Sequence, residues 1–345
     1  MKIATLFGIA GLCAGLAATP GAAAADYPEL DLTFASYVSA DLPQSQADLW
    51  WAEQIHERSG GKISIRFFWS QTLGKSTELL QLVASGAVDF ASPSIGYYAS
   101  NFPLSNVHQL PMVLPDNRVA QIVATEVAEL PAVKAEYEAA GVVPLVWHSL
   151  PTYRVLCNSA IDSVEDFRGL KIRSFGKYVP MMWDSLGATG VNVLAPEMYE
   201  GLQRGNVDCT YISPDFAHAY KLEEVAAYFN DANFGAISAW TTFVNADKWN
   251  AWPEPVRQLI LEVSAEAAAR EREAVYKAAD DARAAMLASG MTEVAFGDPA
   301  ALKAAVPDFL EIWVGQMEAQ GLGDQARTVA ETVRKRVEAA VTAAN

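Results

Sequence analysis

Between Pro255 and Gly290 the chain runs without a glycine or proline. Val256, Ile260, Val263, Ala267, Ala274 and Ala278 recur there at near-helical spacing and form one apolar face. The pattern predicts helix from Pro253 to about Ser289. An unbroken helix of about 35 residues is about 50 Å long, more than one ordinary lobe spans. Such an element can brace two bodies at once. The alternative is two helices meeting at a bend.

Upstream, strand and helix patterns alternate. The run Leu-Asp-Leu-Thr-Phe-Ala-Ser-Tyr ending at Tyr37 has the period of two of a half-buried strand. Ala47, Trp51 and Ile55 then share a helix face that Gly60 and Gly61 end. Lys62 to Trp69 reads as a second strand, Leu79, Leu80 and Val83 as a helix, and Ala87 to Ala91 as a third strand. This order implies a parallel sheet with helices on its faces. Arg118 to Ala140 reads as helix broken at Pro131, and Val142 to Trp147 as strand.

The alternation then repeats. Lys171–Ser174, Val191–Leu194 and Val207–Ile212 read as strands, with helices at Tyr178–Leu186 and from Pro196 to Gly205. Ala239 to Asn245 reads as a strand that returns the chain to the first body, and residues 299–341 as amphipathic helix broken near Gly321 and Gly323. The expected fold class is therefore α/β with two lobes, each a mainly parallel sheet flanked by helices. Residues 26–152 form the first lobe, 153–238 the second, and 239–345 the return, long helix and C-terminal helices.

The stretch from Tyr153 to Phe175 opens the second lobe. Ser163 and Asp166 form a helix-start pair and Gly169 a stop. Leu-Lys-Ile-Arg-Ser alternates, so Arg173 falls at the C-terminal end of a strand, the edge where ligands bind in open α/β sheets. Arg154 heads the preceding strand. Two guanidiniums, each suited to two-pronged bonding of a carboxylate, are expected to face one cleft. The loops Tyr37–Gln44, Trp69–Ser76 and Ser92–Tyr97 open on the same kind of edge. They carry Tyr37, Trp69, Ser92 and Ser94, which suit a small polar ligand or simply make turns.

Composition narrows the partners. Lys2, an apolar run from Ile3 to Ala18, and Ala23-Ala24-Ala25 before Asp26 have the form of a secretory signal spanning residues 1–25. The net charge is −16, and loss of Lys2 with that segment makes it −17. This argues against nucleic acid and anionic lipid, and means that anion affinity has to be local. No later segment is expected to enter a membrane. Cys157 and Cys209, both in strands of the second lobe, either form a disulfide or remain two buried thiols.

Catalytic signatures are missing. There is no Gly-x-Ser-x-Gly elbow, His-Glu-x-x-His, Cys-x-x-Cys, phosphate loop or dinucleotide fingerprint. His56, His108, His148 and His218 lack metal-ligand spacing and read as structural or exposed. No cofactor or metal is expected.

Several motifs taken together carry a resemblance. They are Arg154-x-x-x-Asn158-Ser159, Asp166-Phe-Arg-Gly-Leu-Lys-Ile-Arg173 and Leu202-Gln-Arg-Gly-Asn-Val-Asp208. Earlier come Ser70-Gln-Thr-Leu-Gly74 and Gly86-Ala-Val-Asp-Phe90, and later Phe243-Val-Asn245 followed by Trp249 and Pro253. In this order they resemble the extracytoplasmic solute-binding proteins of TRAP transporters, over nearly all the chain beyond residue 25. The resemblance implies a periplasmic binding protein with a spine helix. It would close on a small organic acid and dock on TRAP-type integral membrane subunits that use an ion gradient. The rivals are a periplasmic enzyme acting on a small acid and a binding protein of an ATP-driven importer.

The resemblance makes Arg173 the clamp on the substrate carboxylate and Arg154 a second contact. One departure stands out. Where the family often has an asparagine near a proline, this chain reads Tyr211-Ile212-Ser213-Pro214. Ser213 is the nearest polar substitute, while an ungapped count lands on Ile212. Tyr211, Trp240, Trp69 and Phe175 suggest an aromatic wall, and with it an acid bulkier or more apolar than a four-carbon dicarboxylate.

Overall fold

The computed structural model describes residues 26–344, so the expected signal at 1–25 lies outside the described residues. The chain opens with β1 (Leu30–Ser36), α1 (Pro43–Arg58), β2 (Ile63–Phe68), α2 (Leu79–Ala84) and β3 (Phe90–Ser92). It continues through α3 (Asn117–Ala128), α4 (Pro131–Ala139) and β4 (Val142–Leu150). Pro131 ends one helix and begins the next, where its missing N–H is harmless. A second run follows: β5 (Arg154–Cys157), β6 (Lys171–Ser174), α5 (Val179–Ser185), β7 (Thr189–Asn192), α6 (Met198–Gln203), β8 (Cys209–Ile212), α7 (Pro214–Ala219) and β9 (Tyr228–Asn230). The last part holds β10 (Ile237–Asn245), α8 (Ala246–Ala251), α9 (Glu254–Ala288), β11 (Thr292–Val294), α10 (Pro299–Ala305), α11 (Phe309–Glu318) and α12 (Gly323–Ala344).

Two sheets result, ordered β2-β1-β3-β10-β4 and β11-β9-β5-β8-β6-β7. In the first, β1, β2 and β3 are parallel, and β10 lies antiparallel between β3 and β4. In the second, β6, β7 and β8 are parallel while β5 is antiparallel to β8 and β9. The two-lobed α/β expectation holds. Two short strands were not expected. β11 pairs with β9, so after α9 the chain touches the second sheet again rather than staying with the first. The helix expected after Ser163 is a single 3-10 turn, Glu165–Phe167, whose Asp166 carboxylate accepts from the Ser163 hydroxyl just before it.

α9 is one continuous helix of 35 residues, not two. Its first half buries Val256, Ile260 and Val263 with Phe34, Trp51 and Phe90 under the first sheet. Trp51 Nε1 donates to Ser264 Oγ at 2.9 Å, which satisfies the indole where it is fully buried. Farther along, Val275, Ala282 and Met286 are buried as the helix passes toward the second sheet. No helix among the described residues is long and apolar enough to cross a membrane.

The chain crosses between sheets after β4 and again before β10, and the two crossings pair. Tyr153 N donates to Gly235 O at 2.8 Å and Phe234 N to Tyr153 O at 3.2 Å. On the other side Met112 N donates to Phe234 O, and Leu114 bridges Ala236. Gly235 adopts φ +82, and a Cβ there would sit 2.9 Å from Leu114 O and 3.2 Å from Met112 backbone. Backbone of both residues and the positive φ leave room only for glycine. Gly235→Ala is expected to destabilise the protein by about 1–3 kcal/mol, read from urea unfolding.

Cys157 and Cys209 face each other on β5 and β8 with Cα atoms 4.1 Å apart and form a disulfide. The strand pairing that brings them together is non-local, which is why the sequence left the question open. The bridge spans 52 residues of sequence, and the loop-entropy relation gives about 4 kcal/mol for a loop of that size. Reduction, or replacement of both cysteines by alanine, is expected to lower the unfolding free energy by up to that amount.

Candidate ligand site between the sheets

Arg173 is the penultimate residue of β6 and is 2 % exposed. Its Nε donates to Val193 O at 3.0 Å and Nη1 to Tyr211 O at 2.9 Å. The guanidinium carbon lies 4.4 Å from the centre of the Phe175 ring. Two carbonyls and one ring therefore fix its position. None of the salt bridges among the described residues involves Arg173, and Nη2 gains no hydrogen-bond partner there. A buried guanidinium held only by neutral groups is short of a counter-charge.

It lines a cavity of about 20 Å³ between the two sheets. Tyr37, Ser94, Tyr97, Leu150, Ile237 and Ala239 come from the first sheet and its loops, and Tyr153, Arg173, Phe175, Ala195, Ile212 and Phe216 from the second. Arg173 is the one charged side chain of the lining. Burial raises the hydroxyl pKa of Tyr37, with Tyr97, Tyr220 and Tyr153 adding to the rise and Arg173 opposing it. Burial raises that of Tyr153 as well, again against Arg173. Both phenols therefore stay protonated at neutral pH and are able to donate.

Two polar contacts join the sides. Ala195 N donates to the Tyr97 hydroxyl at 3.2 Å. Gln44 Nε2, on α1, donates to Ser149 O at 3.1 Å and to Asp215 Oδ2, on α7, at 3.2 Å. Burial raises the Asp215 pKa, against bonds from Ser213 and Gln44.

The residues expected from sequence divide. Arg173, Phe175, Tyr37 and Ser94 meet in the cavity. Tyr211 supplies its carbonyl to Arg173, and its ring packs 4.5 Å from Tyr153 and 6.1 Å from Phe175, one layer back. Trp240 is fully buried, with its ring centre 6.0 Å from Tyr37 and 5.4 Å from His148. Ser213 Oγ donates to Asp215 Oδ1 at 2.6 Å, and Ile212 rather than Ser213 takes the lining position. Ser92 Oγ pairs with Thr242 Oγ1 at 2.9 Å. Trp69 stacks on Phe67 at 4.8 Å, outside the cavity.

Arg154 is not brought to Arg173. It lines a separate cavity of about 180 Å³ with Asp231, Asp280, Arg283 and Glu293. Tyr153 faces the Arg173 cavity, and the alternation of neighbouring side chains along extended backbone turns Arg154 the other way. Burial lowers its pKa, against the Asp231 and Glu293 carboxylates. Tyr153, Leu150, Phe216 and Ile237 were not foreseen as lining. Being aromatic or aliphatic, they are indistinguishable in sequence from core.

Beneath the first-sheet wall lies a charged cluster. His148 Nδ1 is 2.7 Å from Glu271 Oε2 on α9, and Nε2 is 3.2 Å from Asp48 Oδ1 on α1. Burial opposes the charge, but the two carboxylates outweigh it and push the imidazole pKa up to about 10. Burial lifts Glu271 too; the flanking carboxylates make a protonated ring the favoured state. A raised native pKa stabilises the fold fully below the ordinary value of 6.5, and the contribution is gone above about 10. The stability gap between wild type and His148→Gln is therefore expected to narrow steadily from pH 6 to pH 10 in urea unfolding.

Comparisons with known proteins agree with this fold. The bacterial extracellular solute-binding proteins of family 7 (DctP) match residues 34–314. The C4-dicarboxylate-binding periplasmic protein DctP of Rhodobacter capsulatus is 25% identical over 268 residues, covering 76% of this chain and 79% of its own. A solute-binding protein of Chromohalobacter salexigens is also 25% identical, covering 68% and 70%. Among solved structures, a TRAP solute-binding protein of Rhodoferax ferrireducens, in complex with copurified benzoate, superimposes with a TM-score of 0.82 at 20% identity, covering 92% of this chain and all of its own. A TRAP periplasmic solute-binding protein of Chromohalobacter salexigens with bound D-glucuronate gives 0.79 at 18% identity, covering 88% and 99%. With the family matched across most of its length, the chain belongs to the family 7 bacterial extracellular solute-binding proteins.

Proposed function

We propose that this chain is the periplasmic solute-binding subunit of a TRAP-type secondary transporter and that it captures a small organic acid on Arg173. The observation that carries this is the guanidinium itself: buried, immobilised by two carbonyls, paired with no acid among the described residues, and lining the gap between two bodies. A ligand carboxylate supplies the missing charge in a site where charge-assisted bonds are strong. The relatives fit this reading, since the named ligands of the compared structures, benzoate and D-glucuronate, are carboxylates.

The cavity volume holds about one water molecule. An organic acid therefore enters only when the walls part, as in hinge closure of periplasmic binding proteins. The moving bodies are residues 26–152 with the return from 239 on one side, and 153–238 with β11 on the other. The bonds from Ala195 N to Tyr97 and from Gln44 to Asp215 break on opening and reform on closing. Delivery to the membrane subunits follows from the closed form, and the acid is released chemically unchanged.

Arg173→Ala leaves a ligand charge buried without its partner. It is expected to cost roughly 3–5 kcal/mol, a loss of about two to four decades in affinity, while the fold is retained. Calorimetric titration of an acid panel against both proteins reads this directly, and recovery of unchanged acid excludes turnover. Equal binding by both proteins would sink the clamp.

A further inference from the structure

We infer that the ligand is a monoanionic carboxylic acid with a compact, largely apolar body, rather than a dicarboxylate or a polyhydroxylated acid. This rests on the reading of Arg173 given above and adds the substrate class.

The argument is a count of what the cavity can satisfy. Arg173 has already committed Nε and Nη1 to Val193 and Tyr211 carbonyls. What remains suits one carboxylate. The second arginine expected to neutralise another charge, Arg154, lines a different cavity among its own acids. A second carboxylate in the Arg173 cavity would thus be desolvated with no cation to meet it, which is strongly unfavourable.

Hydroxyl groups fare little better. Leu150, Ala195, Ile212, Phe216, Ile237 and Ala239 carry no side-chain polar atom. Of the polar lining, Tyr97 accepts from Ala195 N and keeps its own O–H to donate. Ser94 and the Tyr37 and Tyr153 hydroxyls complete the set, enough for the far oxygen of one carboxylate and about two further groups. A sugar acid would bury several hydroxyls without partners, each a penalty. The aromatic faces of Phe175, Tyr153 and Phe216 instead favour apolar carbon, and Ile212 adds to that wall.

The test is calorimetric titration of the purified, disulfide-intact protein and of Arg173→Ala with benzoate, phthalate, succinate and D-glucuronate. Benzoate is expected to bind wild type at least about tenfold tighter than phthalate, which adds only a second charge, and tighter than succinate or glucuronate. Ile212→Asn, checked for an unchanged fold by circular dichroism, is expected to weaken benzoate and narrow its lead over glucuronate. Tighter binding of succinate, phthalate or glucuronate than of benzoate, lost in Arg173→Ala, would overturn the substrate class and leave the arginine clamp standing. Failure of benzoate to bind also overturns the class. Benzoate binding that is undiminished in Arg173→Ala would overturn the clamp instead.

Discussion

A cation fixed in a gap that offers it no counter-charge organises this molecule. Arg173 cannot move to find a partner, because Val193 and Tyr211 carbonyls hold two of its nitrogens and Phe175 covers its face. It cannot reach an internal acid, since the described residues place none in contact. The surrounding side chains leave room for only about one water molecule to screen it. The protein as a whole is strongly acidic, so attraction for an anion has to be local. On the proposed reading, selectivity and affinity have a common origin in the burial of this charge.

The rest of the structure positions that gap. β6 carries Arg173 on one side, while β4 and β10 bring Leu150, Ile237 and Ala239 from the other. The His148 cluster ties β4 to α1 and α9 by charge, behind Trp240, so the first-sheet wall rests on a rigid base. The disulfide joins β5 to β8, next to the carbonyl that holds the guanidinium. Each wall is thus internally stiff, and compliance is left to the crossings between them.

Much of this was legible in the chain. The alternation of strand and helix and the unbroken run before Gly290 announced the architecture, and the Leu-Lys-Ile-Arg strand put Arg173 at the edge that lines the gap. These are local patterns, set by periodicity and by glycine and proline. What failed to show was non-local. β9 and β11 are three residues each and are defined by pairing rather than by pattern. Arg154 looked equivalent to Arg173 because both head or end strands; only the facing of side chains about Tyr153 separates them. Ser92 and Ser213 looked like ligand groups, but each meets a neighbouring polar side chain in the fold. The apolar lining residues look like core because, before an acid enters, core is what they are.

The paired crossings have a mechanical meaning. Two connecting segments hydrogen-bonded to each other, at Tyr153 with Phe234 and Gly235, bend as a ribbon rather than as independent tethers. A ribbon resists shear and sideways drift but yields to folding across its width. On the proposed hinge, opening is thereby reduced to about a single coordinate. Tyr153 is itself part of that ribbon and also lines the gap beside Arg173, so an acid held there as proposed would press on the axle of the motion.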